Sequence, residues 1–172
     1  RIRARRPADQ AGIIGAFGQL GPESVYTRFF HAKLSLSNQE VKAATEVDFE
    51  NVVALVVTIE SDGKEIIIGG GRYLIVDSSS LRRRAEIAFM VGEDFHGQGI
   101  AGRILKHLAC IAREKGVTQF EADVLPQNKA MLAVFARSDR ALCARGAHGV
   151  QLRAGARERR GRHRAQRRRV HA

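Results

Sequence analysis

Residues 95–105 read Phe-His-Gly-Gln-Gly-Ile-Ala-Gly-Arg-Ile-Leu, a glycine-rich turn that runs directly into an amphipathic helix. A strand-like run, Ala85-Glu-Ile-Ala-Phe-Met-Val91, precedes it. Strand, glycine turn and helix in that order present bare backbone N–H groups at a helix N-terminus, where phosphate binds well. Gly97, Gly99 and Gly102 allow unusual dihedrals and let a ligand approach the backbone closely. The loop has neither the Gly-Lys-Ser/Thr ending of a P-loop nor the spacing of a dinucleotide site. An ordinary strand-to-helix turn would look similar, so the flanking segments decide the reading.

The helix runs from Ile100 to Lys115 and stops at Gly116. In the next segment Phe120, Ala122 and Val124 alternate with Gln119, Glu121 and Asp123, the period-two pattern of a strand over Gln119–Leu125. Pro126 ends it, and Asn128 begins a second helix with apolar Met131, Leu132, Val134 and Phe135. The form (Gln/Arg)-x-x-Gly-x-(Gly/Ala), read here as His96-Gly97-Gln98-Gly99-Ile100-Ala101, resembles the pyrophosphate loop of the GNAT superfamily of acyl-CoA-dependent N-acyltransferases. His96 stands where Gln or Arg is usual. The phrases Ala-Asp-Val-Leu-Pro-Gln-Asn-Lys-Ala-Met-Leu (122–132) and Leu-Gly-Pro-Glu-Ser-Val-Tyr-Thr-Arg-Phe-Phe (20–30) resemble the GNAT modules of bacterial protein lysine acetyltransferases. Those modules occur fused to acyl-CoA synthetase-like or cyclic-nucleotide-binding domains. The similarity spans roughly Arg1 to Ser138.

The resemblance implies a mixed α/β sheet of the GNAT type and acetyl-CoA as co-substrate. Its phosphates would meet His96, Gly97, Gln98, Gly99, Ile100, Ala101 and Gly102. The pantetheine arm would lie in a gap between strands 85–91 and 119–125, beside Asn128, and a backbone N–H around Phe89, Met90 and Val91 would polarise the thioester. The implied reaction is acetylation of a protein lysine, with an acyl-CoA synthetase as the implied substrate. Acetylation of a small amine and a CoA-binding sensor with decayed catalysis are the alternatives.

Acyl transfer to an amine also needs a base. Glu86 shares one strand face with Ala88 and Met90, and a carboxylate in an apolar strand can act as general base, directly or through water. Several GNAT enzymes place their base on this strand. The competing reading is that Glu86 pairs with Arg72, Arg83 or Arg84. Many family members carry a Tyr seven residues after the Asn to protonate the departing thiolate; Phe135 occupies that position here, and nothing in the sequence brings Tyr26 or Tyr73 to the sulfur. His96 could contact a phosphate when protonated, or be a solvated turn residue, and Arg82-Arg83-Arg84 is either a guide for an acidic protein substrate or a solvated turn.

The chain's 172 residues suit one domain, and its net charge of +11 invites a nucleic-acid reading. The distribution argues against it. Residues 1–138 carry net +2, whereas residues 139–172 carry 11 Arg and two acids, net +9. The domain is therefore read as 1–138 and the rest as an Arg-rich tail. This tail is either a non-specific nucleic-acid arm or the product of a GC-rich gene read out of frame, the second being preferred; in both cases disorder is expected. Two unpatterned cysteines, Cys110 and Cys143, make neither a disulfide framework nor a metal site. With no signal peptide and no long apolar run, a soluble cytoplasmic protein with no membrane partner is expected, and the start at Arg1 suggests a module of a longer polypeptide.

Upstream, Arg1–Arg6 reads as a strand, Ala8–Leu20 and Pro22–Phe30 as helices, and 38–47 as a third helix capped by Ser37. Asn51–Glu60 and Glu65–Val76 form a hairpin around Ser61-Asp-Gly-Lys64, with Gly69-Gly70-Gly71 marking a bulge or a close backbone approach. Asp77–Arg83 reads as a polar turn. The family ending of two further strands is not legible after Ser138, which leaves the edge of Gln119–Leu125 open.

Overall fold

A computed structural model describes residues 1–22, 47–79, 82–143 and 150–154. The helices expected over Pro22–Phe30 and 38–47, and Tyr26, lie almost wholly outside the described residues. Six strands form one sheet in chain order: β1 (Ile2–Ala4), β2 (Val52–Ser61), β3 (Lys64–Ser79), β4 (Arg82–Val91), β5 (Val117–Val124) and β6 (Val150–Ala154). Pairing is antiparallel from β1 to β4 and parallel from β4 through β6. Among the described residues the α-helices are α1 (Gln10–Gly18), α2 (Ile100–Glu114) and α3 (Lys129–Cys143).

Alternation builds the core. Val53, Leu55 and Val57 of β2, Tyr73 of β3, Ile87 and Phe89 of β4, and Phe120, Ala122 and Val124 of β5 turn to one face. There they pack with Ile104, Leu105, Leu108 and Ala112 of α2 and with Phe135 of α3. The spacing of those α2 residues places them on one stripe, which is why the charged residues between them stay outside.

The β2–β3 hairpin turns at Asp62 (φ 51°) and Gly63 (φ 71°), a left-handed pair that suits the strand twist. Both expectations for the glycine run are met. Ile68 is an extra residue between the pairs Val57–Gly69 and Thr58–Ile67, a bulge. A Cβ at Gly70 would sit 2.6 Å from the Leu55 carbonyl oxygen, and one at Gly71 would sit 2.6 Å from Ile104 Cγ2. The N-terminal strand is tied in by Arg3. Its guanidinium bonds both Asp9 oxygens at 2.8 Å and Glu65 at 2.8 and 3.0 Å.

Three boundaries differ from the sequence reading. The polar turn read at Asp77–Arg83 is much shorter, because Asp77, Ser78 and Ser79 pair with Arg84, Arg83 and Arg82 and extend both strands. α3 continues past Ser138 to Cys143. The edge of β5 is covered: Val150–Ala154 pairs in parallel with Phe120–Val124. Sequence reasoning missed β6 because Val-Gln-Leu-Arg-Ala is short and sits among Arg, Ala and Gly. Among the described residues one strand follows α3, where the resemblance implied two. Residues 155–172 lie outside the described part of the chain.

Candidate active site

The parallel pairing of β4 with β5 runs from Arg83–Val117 through Glu86–Glu121 and ends there. Beyond that rung β4 continues to Val91 while bonded only to β3. The two strands therefore part, and the gap expected between them opens above Glu86. Gly92 N–H donates to the Ile68 carbonyl of β3 at 2.8 Å. Bonding direction alternates along an antiparallel strand, so Phe89 and Val91 turn their N–H groups toward the gap, while Met90 turns its own toward Gly70 of β3.

The glycine loop sits at the top of this gap. A single 3-10 turn, Glu93–Phe95, leads to Gly97 (φ 75°) and Gly99 (φ 72°), both left-handed, where L side chains are strained. A Cβ at Gly97, Gly99 or Gly102 would meet nothing within 4 Å, so open space lies over the loop. Gly99 caps α2 without a side chain, and the first main-chain bond of the helix is Arg103 N–H to Gly99 carbonyl at 3.1 Å. The N–H groups of Ile100, Ala101 and Gly102 consequently point outward at the positive end of the helix dipole. Loop and helix terminus thus form an anion cradle of backbone donors, which fits a pyrophosphate.

His96 and Gln98 are exposed and folded back on the loop itself. A ring nitrogen of His96 lies 2.9 Å from the Val91 carbonyl, as a donor in the tautomer with Nε2 protonated, and Gln98 Nε2 donates to the Asp94 carbonyl at 3.3 Å. Asn128 caps α3: its Oδ1 accepts the Met131 N–H at 3.0 Å, just past the C-terminal end of β5.

Glu86 is exposed, with half-buried Ala88 and Met90 on its face. The apolar surroundings on which the strand pattern singled it out do not enclose its side chain; its position at the foot of the gap remains. The competing ion pairs find other partners. Arg84 bonds Asp77 at 3.0 Å and Glu121 at 2.5 Å, and Arg83 donates to the Lys115 carbonyl at 2.9 Å. Among the described residues no ion pair reaches Glu86. The Arg82–Arg84 run is therefore not a solvated turn: it opens a strand, and Arg84 joins three strands. No local signal in the sequence reveals this, because Asp77, Arg84 and Glu121 lie on three different strands.

Neither proton-donor question changes in favour of a tyrosine. Phe135 is buried, with its ring 5.9 Å from that of Phe89. Tyr73 is fully buried with its hydroxyl unpartnered, and burial pushes its phenol up to about 12. The charges felt by that phenol are those of Arg83 and Glu50, at the opposite end of β4 from the gap. Cys110 is a half-buried free thiol on α2. Among the described residues no cluster of His, Cys, Asp and Glu could hold a metal ion, and no helix is long and apolar enough to cross a membrane.

Comparison with known proteins agrees with this geometry. The family model described as Acetyltransferase (GNAT) family matches residues 23–139. The GNAT domain of S. lividans PAT is 33% identical, with a TM-score of 0.73 over 80% of this chain and 79% of that one. Acetyltransferase Pat of Mycolicibacterium smegmatis is 28% identical over 79% of this chain, but the match spans only 39% of that relative's length. At 18% identity, yncA of Salmonella typhimurium, solved with its cofactor acetyl-CoA, shares the fold with a TM-score of 0.64 over 80% of this chain and 77% of its own. Parted parallel strands, a left-handed glycine loop at a helix N-terminus and a family match over most of the sheet lead to one statement: the chain belongs to the GNAT family of acetyltransferases.

Proposed function

We propose that this domain transfers the acetyl group of acetyl-CoA to the side-chain amine of a protein lysine. The observation that carries the reading is the parting of β4 and β5 just beyond Glu86, directly below a loop of unbonded backbone donors. Acetyl-CoA fits that shape. Its phosphates meet the N–H groups of residues 98–102, its extended arm enters the gap past Asn128 Nδ2, and its carbonyl oxygen reaches the outward N–H of Phe89 or Val91. The likeness to S. lividans PAT and to the Mycolicibacterium Pat favours a protein lysine over a small amine. An acyl-CoA synthetase is the substrate that this subgroup suggests, and the cytoplasm is the matching compartment.

The chemistry is a direct transfer. A water held by the exposed Glu86 carboxylate relays one proton of the incoming ammonium to that carboxylate, the amine nitrogen attacks the thioester carbon, and the nitrogen sheds its second proton to solvent as the amide forms. The C–N bond forms as the C–S bond breaks, with the negative charge of the carbonyl oxygen held by the β4 N–H. The thiolate leaves without a tyrosine donor, because Phe135 cannot supply a proton.

Thiol release should be followed with acetyl-CoA and a panel of lysine-containing proteins, lysine peptides and small amines. Glu86→Gln should lower turnover by about 10²–10⁴ while acetyl-CoA affinity stays within a factor of two or so. The loss should shrink at high pH, where the amine is already deprotonated. Wild-type turnover in that variant at neutral pH would remove Glu86 from the mechanism. Turnover with small amines alone would move the function to the small-molecule class, and binding without turnover would make the domain a CoA sensor.

A further inference from the structure

The cradle at the start of α2 is built of neutral backbone donors, yet CoA carries more than a pyrophosphate. Its ribose bears a 3′-phosphate monoester, with nearly two negative charges at neutral pH. N–H groups engaged by the pyrophosphate leave that monoester without a counter-charge. Between Val91 and Leu105 the sequence holds a single Lys or Arg, Arg103, while two acids, Glu93 and Asp94, precede the loop. His96 is folded back on the Val91 carbonyl.

Arg103 lies in the first turn of α2, where its own N–H donates to the Gly99 carbonyl and no acidic residue shares the turn. Its side chain is exposed, and among the described residues no hydrogen bond or ion pair reaches its guanidinium. The fold gives that side chain a direction. A long side chain on a helix lies back over the turn N-terminal to its own Cα, here residues 99–102. Ile104 and Leu105 fill the buried stripe beside it, so Arg103 stands at the open flank of the cradle. The exposed stripe goes on with Lys106 and His107 one turn further and reaches Arg113 in the last turn.

We propose that Arg103 binds the 3′-phosphate of CoA and makes the domain select CoA over 3′-dephospho-CoA. The proposal rests on acetyl-CoA filling the loop cradle and adds the residue that recognises its nucleotide end. A guanidinium presents paired N–H donors to phosphate oxygens, whereas a lysine at the same place supplies only a point charge. Because Arg103 is exposed, water screens the pair and its contribution is moderate.

Calorimetric titration with CoA and with 3′-dephospho-CoA reads this without turnover. In the wild type, loss of the 3′-phosphate should weaken binding by about tenfold. In Arg103→Gln, CoA should bind no more than about twofold tighter than 3′-dephospho-CoA, whose own affinity should hold and so show an intact cradle. Arg103→Lys should keep part of the preference. Arg113 lies about 15 Å further along the helix, beyond the screening length at physiological salt, so Arg113→Gln should bind both ligands as the wild type does. Equal affinity of the wild type for the two ligands, or an undiminished preference in Arg103→Gln, overturns the proposal. So does an equal loss of preference in Arg113→Gln, which would replace a contact by the general field of the helix. Binding of neither ligand to the wild type overturns the loop reading and this proposal with it, whereas binding without preference leaves the loop reading standing.

Discussion

β4 has two halves with different neighbours. Arg83–Glu86 is bonded on both sides, to β3 and to β5, and the side chains around it are tied by ion pairs and main-chain bonds. Ile87–Val91 pairs with no strand but β3, and His96 sits against the Val91 carbonyl. The closed half uses its polar groups to hold the sheet together. The open half keeps one edge of N–H groups unused, and buried backbone donors persist in that state only where a ligand or water takes them. A single strand therefore carries structure at one end and recognition at the other, and Glu86 stands at the border.

The glycines sharpen the contrast and should give the largest stability effect. Gly70 sits under the sheet's closed packing, 2.6 Å in Cβ terms from the Leu55 carbonyl, whereas Gly99 in the loop has nothing within 4 Å. Gly70→Ala should destabilise the domain by about 3 kcal/mol. Gly99→Ala carries only the left-handed φ penalty, about 1 kcal/mol. Urea denaturation checks both, and equal costs would break the comparison.

Arg5 departs from the pairing of charges seen at Arg3, which sets the next effect. Arg3 is bonded to Asp9 and Glu65, but Arg5 is 6% exposed and none of its three guanidinium nitrogens has a hydrogen-bond partner. A buried, unpaired charge is costly, so Arg5→Met should raise stability by about 2 kcal/mol while Arg3→Met lowers it. A fall in Tm for Arg5→Met would show that its burial is compensated in a way this geometry lacks.

Legibility followed the same division. The left-handed glycines of the loop, the helix beginning at Asn128 and the end of β5 before Pro126 follow from local chemistry, whereas the gap was expected only from the family resemblance. The Arg84 bridge could not be read, since Asp77, Arg84 and Glu121 are far apart in sequence and each looks like an ordinary polar strand end. β6 was missed for a related reason: five residues without β-branched enrichment become a strand only because the β5 edge offers partners. The exposure of Glu86 was also beyond sequence, which shows its apolar neighbours but not the solvent over them.

Asn128 separates structure from recognition in one residue. Asn128→Ala should cost about 1 kcal/mol through the lost cap. Asn128→Asp keeps the Oδ1 acceptor for Met131 and removes the Nδ2 donor, so stability should hold while acetyl-CoA affinity falls several-fold. Equal affinity in Asn128→Asp would place the pantetheine arm elsewhere.

The smallest effect is at acid pH, away from the gap. Glu65 is held at about 2 by Arg3 and Thr58, and Asp48 at about 2 by the backbone N–H groups of residues 50–52. Both fall below their unfolded values of about 4. Their contribution is therefore present above pH 4 or so and is lost as pH drops toward 2. Unfolding curves should show this decline, and Glu65→Gln should flatten it; an identical slope in that variant would contradict the assignment.

The central claim is that the open half of β4 and the glycine loop above it bind acetyl-CoA. Calorimetric titration of acetyl-CoA into the wild type and Gly99→Glu, each first shown to be folded by circular dichroism, tests it most directly. The account predicts saturable one-to-one binding in the wild type and none in the variant, whose carboxylate lies among the phosphates. Wild-type affinity in folded Gly99→Glu would contradict it.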